Sequence, residues 1–192
     1  MKEPLRPEAA NPERSHVRSF CERVVSGGVP VWVECCPLAG QPTNECFAIV
    51  EQQVAAQGGE QLTGWAVWEL PGVFIEAEFH AVWQPPNGPL RCITPRGPGF
   101  ARILFVADPT RKYTGRQVDN TRQALVRDHD VNLLLHLYAR RFEIFNQGDL
   151  AHEHGAVALK KKAHRELLKL EKNMANLQRR LVRRYGPAYP HG

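Results

Sequence analysis

The sequence predicts an α+β protein in which an antiparallel sheet of three to four strands carries a packed, cysteine-bearing helix and is followed by a helical C-terminal third. Three observations predict it: β-branched and aromatic runs between residues 64 and 108, a capped helical pattern after residue 43, and a heptad pattern near the end. The 192 residues suffice for one domain with a core. A hydrophobic content of 43% with 23% charged residues is typical of a soluble globular chain.

Composition divides the chain into four segments. Residues 1–14 are rich in proline and charge and are predicted to be disordered. Residues 15–149 form the α+β domain, residues 150–185 a basic C-terminal helix, and residues 186–192 a flexible tail. We find neither a secretory signal nor an apolar run of about 20 residues, so we expect a cytoplasmic protein without membrane contact. The five cysteines include no CxxC pair, which argues against a disulfide framework and a zinc ribbon.

The first half of the domain is predicted to alternate between helix and strand. Residues 15–26 place apolar side chains on one helical stripe, and residues 29–38 read as a short buried strand. A second helix is predicted from about Asn44 to Gln57, with Thr43 or Asn44 as its N-cap and a glycine after its end. Cys46 then lies in the first turn of this helix.

The middle of the domain is predicted to be a sheet. Residues 64–70 and 73–83 form a hairpin around a Pro-Gly turn, and residues 89–95 and 101–108 supply a third and a fourth strand. Because side chains alternate along a strand, the second of these places its polar side chains on one face, which we expect to border a cleft or solvent. These side chains are Glu76, Glu78 and His80.

The C-terminal third is predicted to be helical from about residue 120 to 146 and again from residue 150. Apolar residues hold a heptad spacing for almost three repeats. They are Ala163, Leu167, Leu170, Met174, Leu177 and Leu181. Ten Lys and Arg against two Glu lie between Lys160 and Arg184, so the net charge of +5 originates in this helix. We expect it to dock on the body or to self-associate through residues 159–181 as a coiled coil, with weak, salt-sensitive nucleic-acid binding as a further prediction.

One set of residues has the chemistry of a thiol hydrolase. Such an enzyme needs a thiolate, a base that takes its proton and a group that orients the base. A helix N-terminus stabilises a thiolate and offers backbone N–H groups to a developing oxyanion. Cys46 opens a helix, His80 lies on a strand, and Cys92 or Thr94 lies on the next strand. This order predicts Cys46 as the nucleophile and His80 as the base.

The chain also resembles two groups of proteins. The stretches GWAVWE, EAEFHAVW and DPTRKYTGRQVDN resemble an uncharacterised bacterial protein family, which brings no established activity. More distantly, residues 41–95 are similar to the transglutaminase-like and papain-like thiol hydrolases, in which Cys, His and Asp or Asn follow in that order. This resemblance implies Cys46 as nucleophile, His80 as base and Gln41 as an oxyanion donor. The sequence departs from the pattern at the third member, where only Thr94 is available to orient the imidazole.

Several alternatives stay open. Cys46 suits a buried structural thiol equally well, and His80 suits a surface residue paired with Glu76 or Glu78. The Glu-x-Glu-x-His strand could hold a divalent metal, but this pattern is more often a solvated face, so no metal or cofactor is expected.

The loop after residue 108 offers three cations to an anionic group of the substrate, Arg111, Lys112 and Arg116, although its turn residues also suit a structural role. The sequence therefore predicts a thiol hydrolase or acyl-transfer enzyme acting on an amide or thioester. The alternative is a non-enzymatic binding protein that uses the basic helix.

Overall fold

The structure is a computed structural model that describes residues 7–96, 100–153 and 157–186. The chain divides into two compact units. The first unit comprises Glu8–Glu69 and Ile75–Thr121, and the second comprises Leu70–Phe74 and the residues from Arg122 onward.

The described residues form seven strands, four α-helices and one short 3₁₀ helix. The strands are β1 (Glu8–Ala9), β2 (Pro30–Cys35), β3 (Glu60–Leu70), β4 (Phe74–Gln84), β5 (Arg91–Cys92), β6 (Arg102–Ala107) and β7 (Thr121–Ala124). The helices are α1 (Ser15–Val24), α2 (Cys46–Gln57), α3 (His129–Phe145) and α4 (Lys161–Tyr185), and the 3₁₀ helix spans Gly148–His152.

The predicted open antiparallel sheet of three to four strands is wrong, because five strands close into a barrel. Their order is β3–β6–β2–β5–β4, and β4 pairs with β3 to complete the circle. The pairing is also mixed: β2 runs antiparallel to β6 but parallel to β5. The fold is therefore a mixed α/β one. Strand β2 is distant in sequence from both of its neighbours, so no local turn signals either pairing.

The barrel interior is filled by side chains from all five strands. One buried cluster contains Val33, Ala66, Trp68, Val82, Cys92, Ile103 and Phe105. Close approach of β3 and β6 requires Gly64, which pairs with Ala107. A Cβ atom at residue 64 would lie 2.2 Å from the carbonyl oxygen of Val106, so only glycine fits there. His80 and Glu78 lie two and four residues from Val82 and therefore face the interior.

Helix α2 packs on the outside of the barrel. It begins at Cys46, with Glu45 rather than Thr43 or Asn44 in the N-cap position, and it ends before Gly58, whose φ is 74°. Its buried residues join outward-facing side chains of β4 and the chain after β5 in a second cluster. The cluster comprises Cys46, Ile49, Val50, Ala81, Trp83 and Ile93. The Cys-bearing helix thus starts where the barrel wall carries His80.

The second unit has its own core between α3 and α4. Its buried residues include five of the six predicted heptad positions, Leu167, Leu170, Met174, Leu177 and Leu181, together with Val131, Leu134 and Ile144 of α3. Ion pairs flank this core: Arg180 contacts Asp130 at 2.6 Å, and Arg140 donates to Glu166 at 2.7 Å. The heptad residues are therefore covered within the chain, while the nucleic-acid contact stays a prediction.

Some segment boundaries differ from those expected. Within the N-terminal segment predicted to be disordered, residues 1–6 lie outside the described residues, whereas Glu8–Ala9 pair with β3. Residues 121–124 form β7, so the helix expected from residue 120 begins only at His129. Of the predicted flexible tail, residues 187–192 lie outside the described residues. Within the described ranges, no helix combines the length and apolarity that crossing a membrane requires.

Candidate functional site

The centre of the candidate site is the buried imidazole of His80. Only 1% of this residue is exposed. The sequence predicts that this strand face borders a cleft or solvent, but closure of the sheet turns the face inward. The Nε2 atom lies 3.3 Å from the Cys92 sulfur on β5. Strands β4 and β5 pair at Trp83 and Arg91, and this pairing brings the side chains of His80 and Cys92 together.

Arg96 covers the face of this imidazole. Its Nη2 lies 3.2 Å from Nδ1 and 3.5 Å from Nε2 of His80. An atom in the ring plane could not approach both nitrogens this closely without colliding with the Cε1 atom between them. The guanidinium therefore lies across the ring, and both ring nitrogens keep their in-plane directions for other partners.

Glu78 anchors Arg96 with two contacts. The guanidinium donates to the two carboxylate oxygens at 3.0 and 3.3 Å, and the Trp68 indole N–H donates to the same carboxylate at 3.0 Å. Burial alone would raise the pKa of Glu78, but the charges of Arg96 and His80 and the hydrogen bonds from Arg96 and Trp68 together outweigh burial and lower the pKa. The Arg96 guanidinium also lies 4.9 Å from the centre of the Trp68 ring. A charged pair thus holds one face of the imidazole in place.

Cys46 approaches His80 from α2. It is the first residue of the helix, where the backbone N–H groups and the helix dipole favour negative charge. Burial lowers the pKa of His80, but the electrostatic interaction and hydrogen bond with the Cys46 side chain, together with the hydrogen bond of Cys92, raise it to about 9. Cys46 is 6% exposed, whereas Cys92 is fully buried. Of the two thiols beside His80, Cys46 is therefore the one with access to solvent.

Cys92 has the surroundings of a thiolate. A hydrogen bond from the Cys35 thiol lowers its pKa most; burial opposes this, and His80 and Arg96 add further hydrogen bonding and positive charge, so that the pKa falls to about 4. The pKa of Cys35 is correspondingly raised, first by its hydrogen bond to Cys92 and then by burial. The interior therefore places a sulfur whose pKa is lowered in contact with an imidazole whose pKa is raised, a pairing that favours an anionic sulfur beside a cationic ring.

The loop after β6 reaches the neighbourhood of Cys46. The ring of Tyr113 stacks on Phe47 with centroids 3.8 Å apart. Burial raises the pKa of Tyr113, and the nearby negative charges of Glu45 and Cys46 raise it further. Asp108 anchors the start of the loop by accepting from the Trp65 indole at 3.1 Å and from Thr110.

A cavity of about 500 Å³ lies along this loop. It is lined by Gln61, Leu62, Thr63, Ala107, Pro109, Arg111, Lys112 and Tyr113. Two of the three predicted substrate-binding cations, Arg111 and Lys112, therefore line one cavity. The guanidinium of Arg111 also lies 5.2 Å from the centre of the Trp65 ring. Arg116 is exposed farther along the loop and is not among the lining residues.

The remaining predicted site residues lie elsewhere. The Thr94 hydroxyl is buried and has no hydrogen-bond partner within the described part of the chain, so it makes no hydrogen bond to His80 there. Gln41 is half-buried, five residues before Cys46. Across the described ranges, no group of three or more His, Cys, Asp or Glu side chains is arranged to hold a metal ion.

Sequence reasoning missed Arg96 and Cys35. A signal for Arg96 was present, because Glu78 and His80 on one strand face need a positive partner once that face is buried. No comparable signal pointed to Cys35, because its proximity to Cys92 follows from the parallel pairing of β2 and β5.

Comparisons with models of protein families, with curated proteins and with solved structures found no match for this chain.

Proposed function

We propose that the protein is a thiol hydrolase or acyl-transfer enzyme that acts on an amide or thioester, with Cys46 as the nucleophile. The observation that carries the proposal is that one buried imidazole adjoins both a thiol at a helix N-terminus and a second thiol, with a lowered pKa, on the neighbouring strand. Nucleophile, base and orienting group are the three parts that thiol-dependent acyl transfer needs.

In this proposal Cys92 replaces the carboxylate or amide of related mechanisms. Its sulfur lies 3.3 Å from Nε2 and can accept the Nε2 proton, which orients the ring. Because Nε2 is occupied by this hydrogen bond, Nδ1 is the ring nitrogen that exchanges a proton with Cys46 in this proposal. Cys92 is a positioning residue because it is fully buried. The orienting role expected of Thr94 is not needed here.

The reaction follows from these roles. The Cys46 sulfur attacks the substrate carbonyl, and the backbone N–H groups at the start of α2 stabilise the oxyanion, with Gln41 as the proposed side-chain donor. The leaving amine or thiol takes a proton from His80, which leaves an acyl group on Cys46. His80 then deprotonates the water or acceptor that releases it. Arg111 and Lys112 are proposed to bind an anionic part of the substrate in the adjacent cavity.

The first test uses a generic acyl donor, p-nitrophenyl acetate, with the full chain. We expect a burst of nitrophenol and an acetyl group on Cys46, detected by peptide mass spectrometry. Cys46→Ala should abolish the burst, and His80→Gln should slow it by about 100-fold, within the usual range for loss of a general base.

Cys21 provides a matched control for this test. It is a buried thiol on α1 whose pKa is raised by burial to about 11, so Cys21→Ala should leave the burst unchanged. A burst that survives Cys46→Ala, or acetylation that falls on Cys36 in its place, would contradict the proposal. We also propose a cytoplasmic location, since a nucleophilic thiol has to stay reduced.

A further inference from the structure

We propose that Cys35 and Cys92 form a second reactive site, a dithiol that hydrogen peroxide oxidises to an intramolecular disulfide. This chemistry goes beyond acyl transfer and does not depend on it, because neither sulfur is the proposed nucleophile of that reaction.

The backbone places the two cysteines opposite each other. Cys35 and Cys92 are register partners in the parallel pairing of β2 and β5, and the N–H of Cys36 donates to the Cys92 carbonyl at 2.9 Å. Neighbouring strands lie about 4.8 Å apart, which falls within the range of roughly 4.4 to 6.8 Å between Cα atoms that disulfides span. Side chains of paired residues lie on the same side of the sheet. A disulfide can therefore form without moving either strand far.

The surroundings assign different roles to the two sulfurs. Cys92, next to His80 and Arg96, is the thiolate and hence the sulfur that attacks an oxidant. Cys35 keeps its proton and is partly exposed, while Cys92 is fully buried. This burial selects an oxidant close to water in size, as hydrogen peroxide is.

The proposed oxidation balances with peroxide alone. The Cys92 sulfur attacks one peroxide oxygen, the O–O bond breaks, and hydroxide leaves and takes a proton to become water. The resulting sulfenic acid is attacked by the Cys35 sulfur, the S–S bond forms, and the second oxygen leaves as water with the Cys35 proton. Two electrons pass from the thiol pair to peroxide, and a dithiol reductant can return them.

The test treats the reduced full chain with hydrogen peroxide, alkylates the remaining thiols and maps the peptides without reduction. Trypsin cleavage after Arg91 and Arg96 isolates Cys92, and a Glu-specific protease separates Cys35 and Cys36 from Cys46. We expect the free thiols to fall by two from five, with the Cys92 peptide linked to the one that carries Cys35. Dithiothreitol should restore all five free thiols.

Two serine variants locate the bond. Cys36→Ser is the matched control, since Cys36 is the exposed neighbour of Cys35, and this variant should form the same disulfide as the wild type. Cys35→Ser should form none and should carry a sulfenic acid on Cys92, which dimedone traps once the oxidised chain is unfolded in denaturant. The proposal is overturned if Cys92 stays reduced while Cys36 or Cys46 is oxidised, or if Cys36→Ser abolishes the bond. Should Cys35→Ser fail to fold, the wild type and Cys36→Ser still decide between the two pairings.

Discussion

At the scale of single residues, the barrel interior contains side chains that favour charged forms, although charge is normally excluded from a protein interior. Cys92, whose pKa is lowered, contacts His80, whose pKa is raised, and Arg96 contacts both His80 and Glu78, so two groups that favour negative charge flank two that favour positive charge. A buried charge is tolerated when an opposite charge and hydrogen bonds satisfy it. Loss of any one member therefore changes the protonation of the others.

The protonation of Cys92 makes a prediction at this scale. Ultraviolet thiolate absorbance of the wild type minus that of Cys92→Ser should show one thiolate that is protonated only as the pH falls through about 4, against an ordinary value of 9.0. Because the folded-state pKa is lowered, Cys92 contributes stability that is fully present above its unfolded pKa and is lost as the pH falls through the folded one. A difference spectrum that titrates near the ordinary value would contradict an internal thiolate.

The contribution of His80 has the opposite sign. Its folded-state pKa is raised from 6.5 to about 9, so its stabilisation is fully present below 6.5 and is lost as the pH rises through about 9. His80→Gln should therefore raise the pKa of Cys92, and Cys21→Ala should leave it unchanged. The same absorbance titration measures the pKa of Cys92 in both variants.

At the scale of elements, α4 depends on its heptad face. Leu177 is buried against α3 and is 3% exposed, whereas Leu168 on the same helix is 54% exposed. Leu177→Ala should lower the free energy of unfolding by about 3 kcal/mol, since it removes buried methyl groups and leaves a cavity. Leu168→Ala, the matched control, should change it by less than about 0.5 kcal/mol. Urea unfolding measures both, and equal effects would show that the heptad face is not packed.

Elements also show how far the sequence predicts this fold. Strand runs, a helix that ends at Gln57 and carries Cys46 in its first turn, and the heptad face of α4 are local patterns, and each is found in the structure, although the helix begins two residues later than predicted. Closure of the barrel was not predictable in the same way, because it depends on pairings of β2 with β5 and β6 across long stretches of chain. For the same reason, the sequence predicts that the polar face with His80 borders a cleft or solvent: alternation identifies two faces but does not tell which becomes the interior.

At the scale of the whole molecule, positive charge is concentrated on α4, and part of it is already neutralised. Arg180 and Arg184 contact Asp128 and Asp130 at the start of α3. A hydrogen bond from the Tyr185 hydroxyl, followed by the hydrogen bond and charge of Arg184, lowers the pKa of Asp128. The lysines at the N-terminal end of α4 therefore remain the better candidates for contact with phosphates.

This distribution makes a prediction about nucleic acids. We expect the protein to bind a mixed-sequence DNA duplex weakly at low salt and to lose that binding as salt rises, because phosphate contacts release counterions. Lys161→Glu with Lys162→Glu should weaken binding and reduce the salt slope by about 2, if each lysine contacts one phosphate. Lys112→Glu with Arg116→Glu is the matched control in the other unit. Fluorescence anisotropy over a salt series measures the affinity for the duplex. An equal loss of affinity in the two variants would rule out α4 as the contact.

The hydrogen bond between Trp68 and Glu78 gives the interior an optical label. The indole N–H donates to the carboxylate that holds Arg96, and the guanidinium lies near the ring itself. Indole emission shifts with the electric field across the ring, so its wavelength depends on the charges beside it. Protonation of the Cys92 sulfur, or its conversion to a disulfide, alters that field. In a variant that carries Phe at Trp32, Trp65 and Trp83, the protonation and oxidation of the site can therefore be followed through Trp68 emission in real time, without any substrate being known.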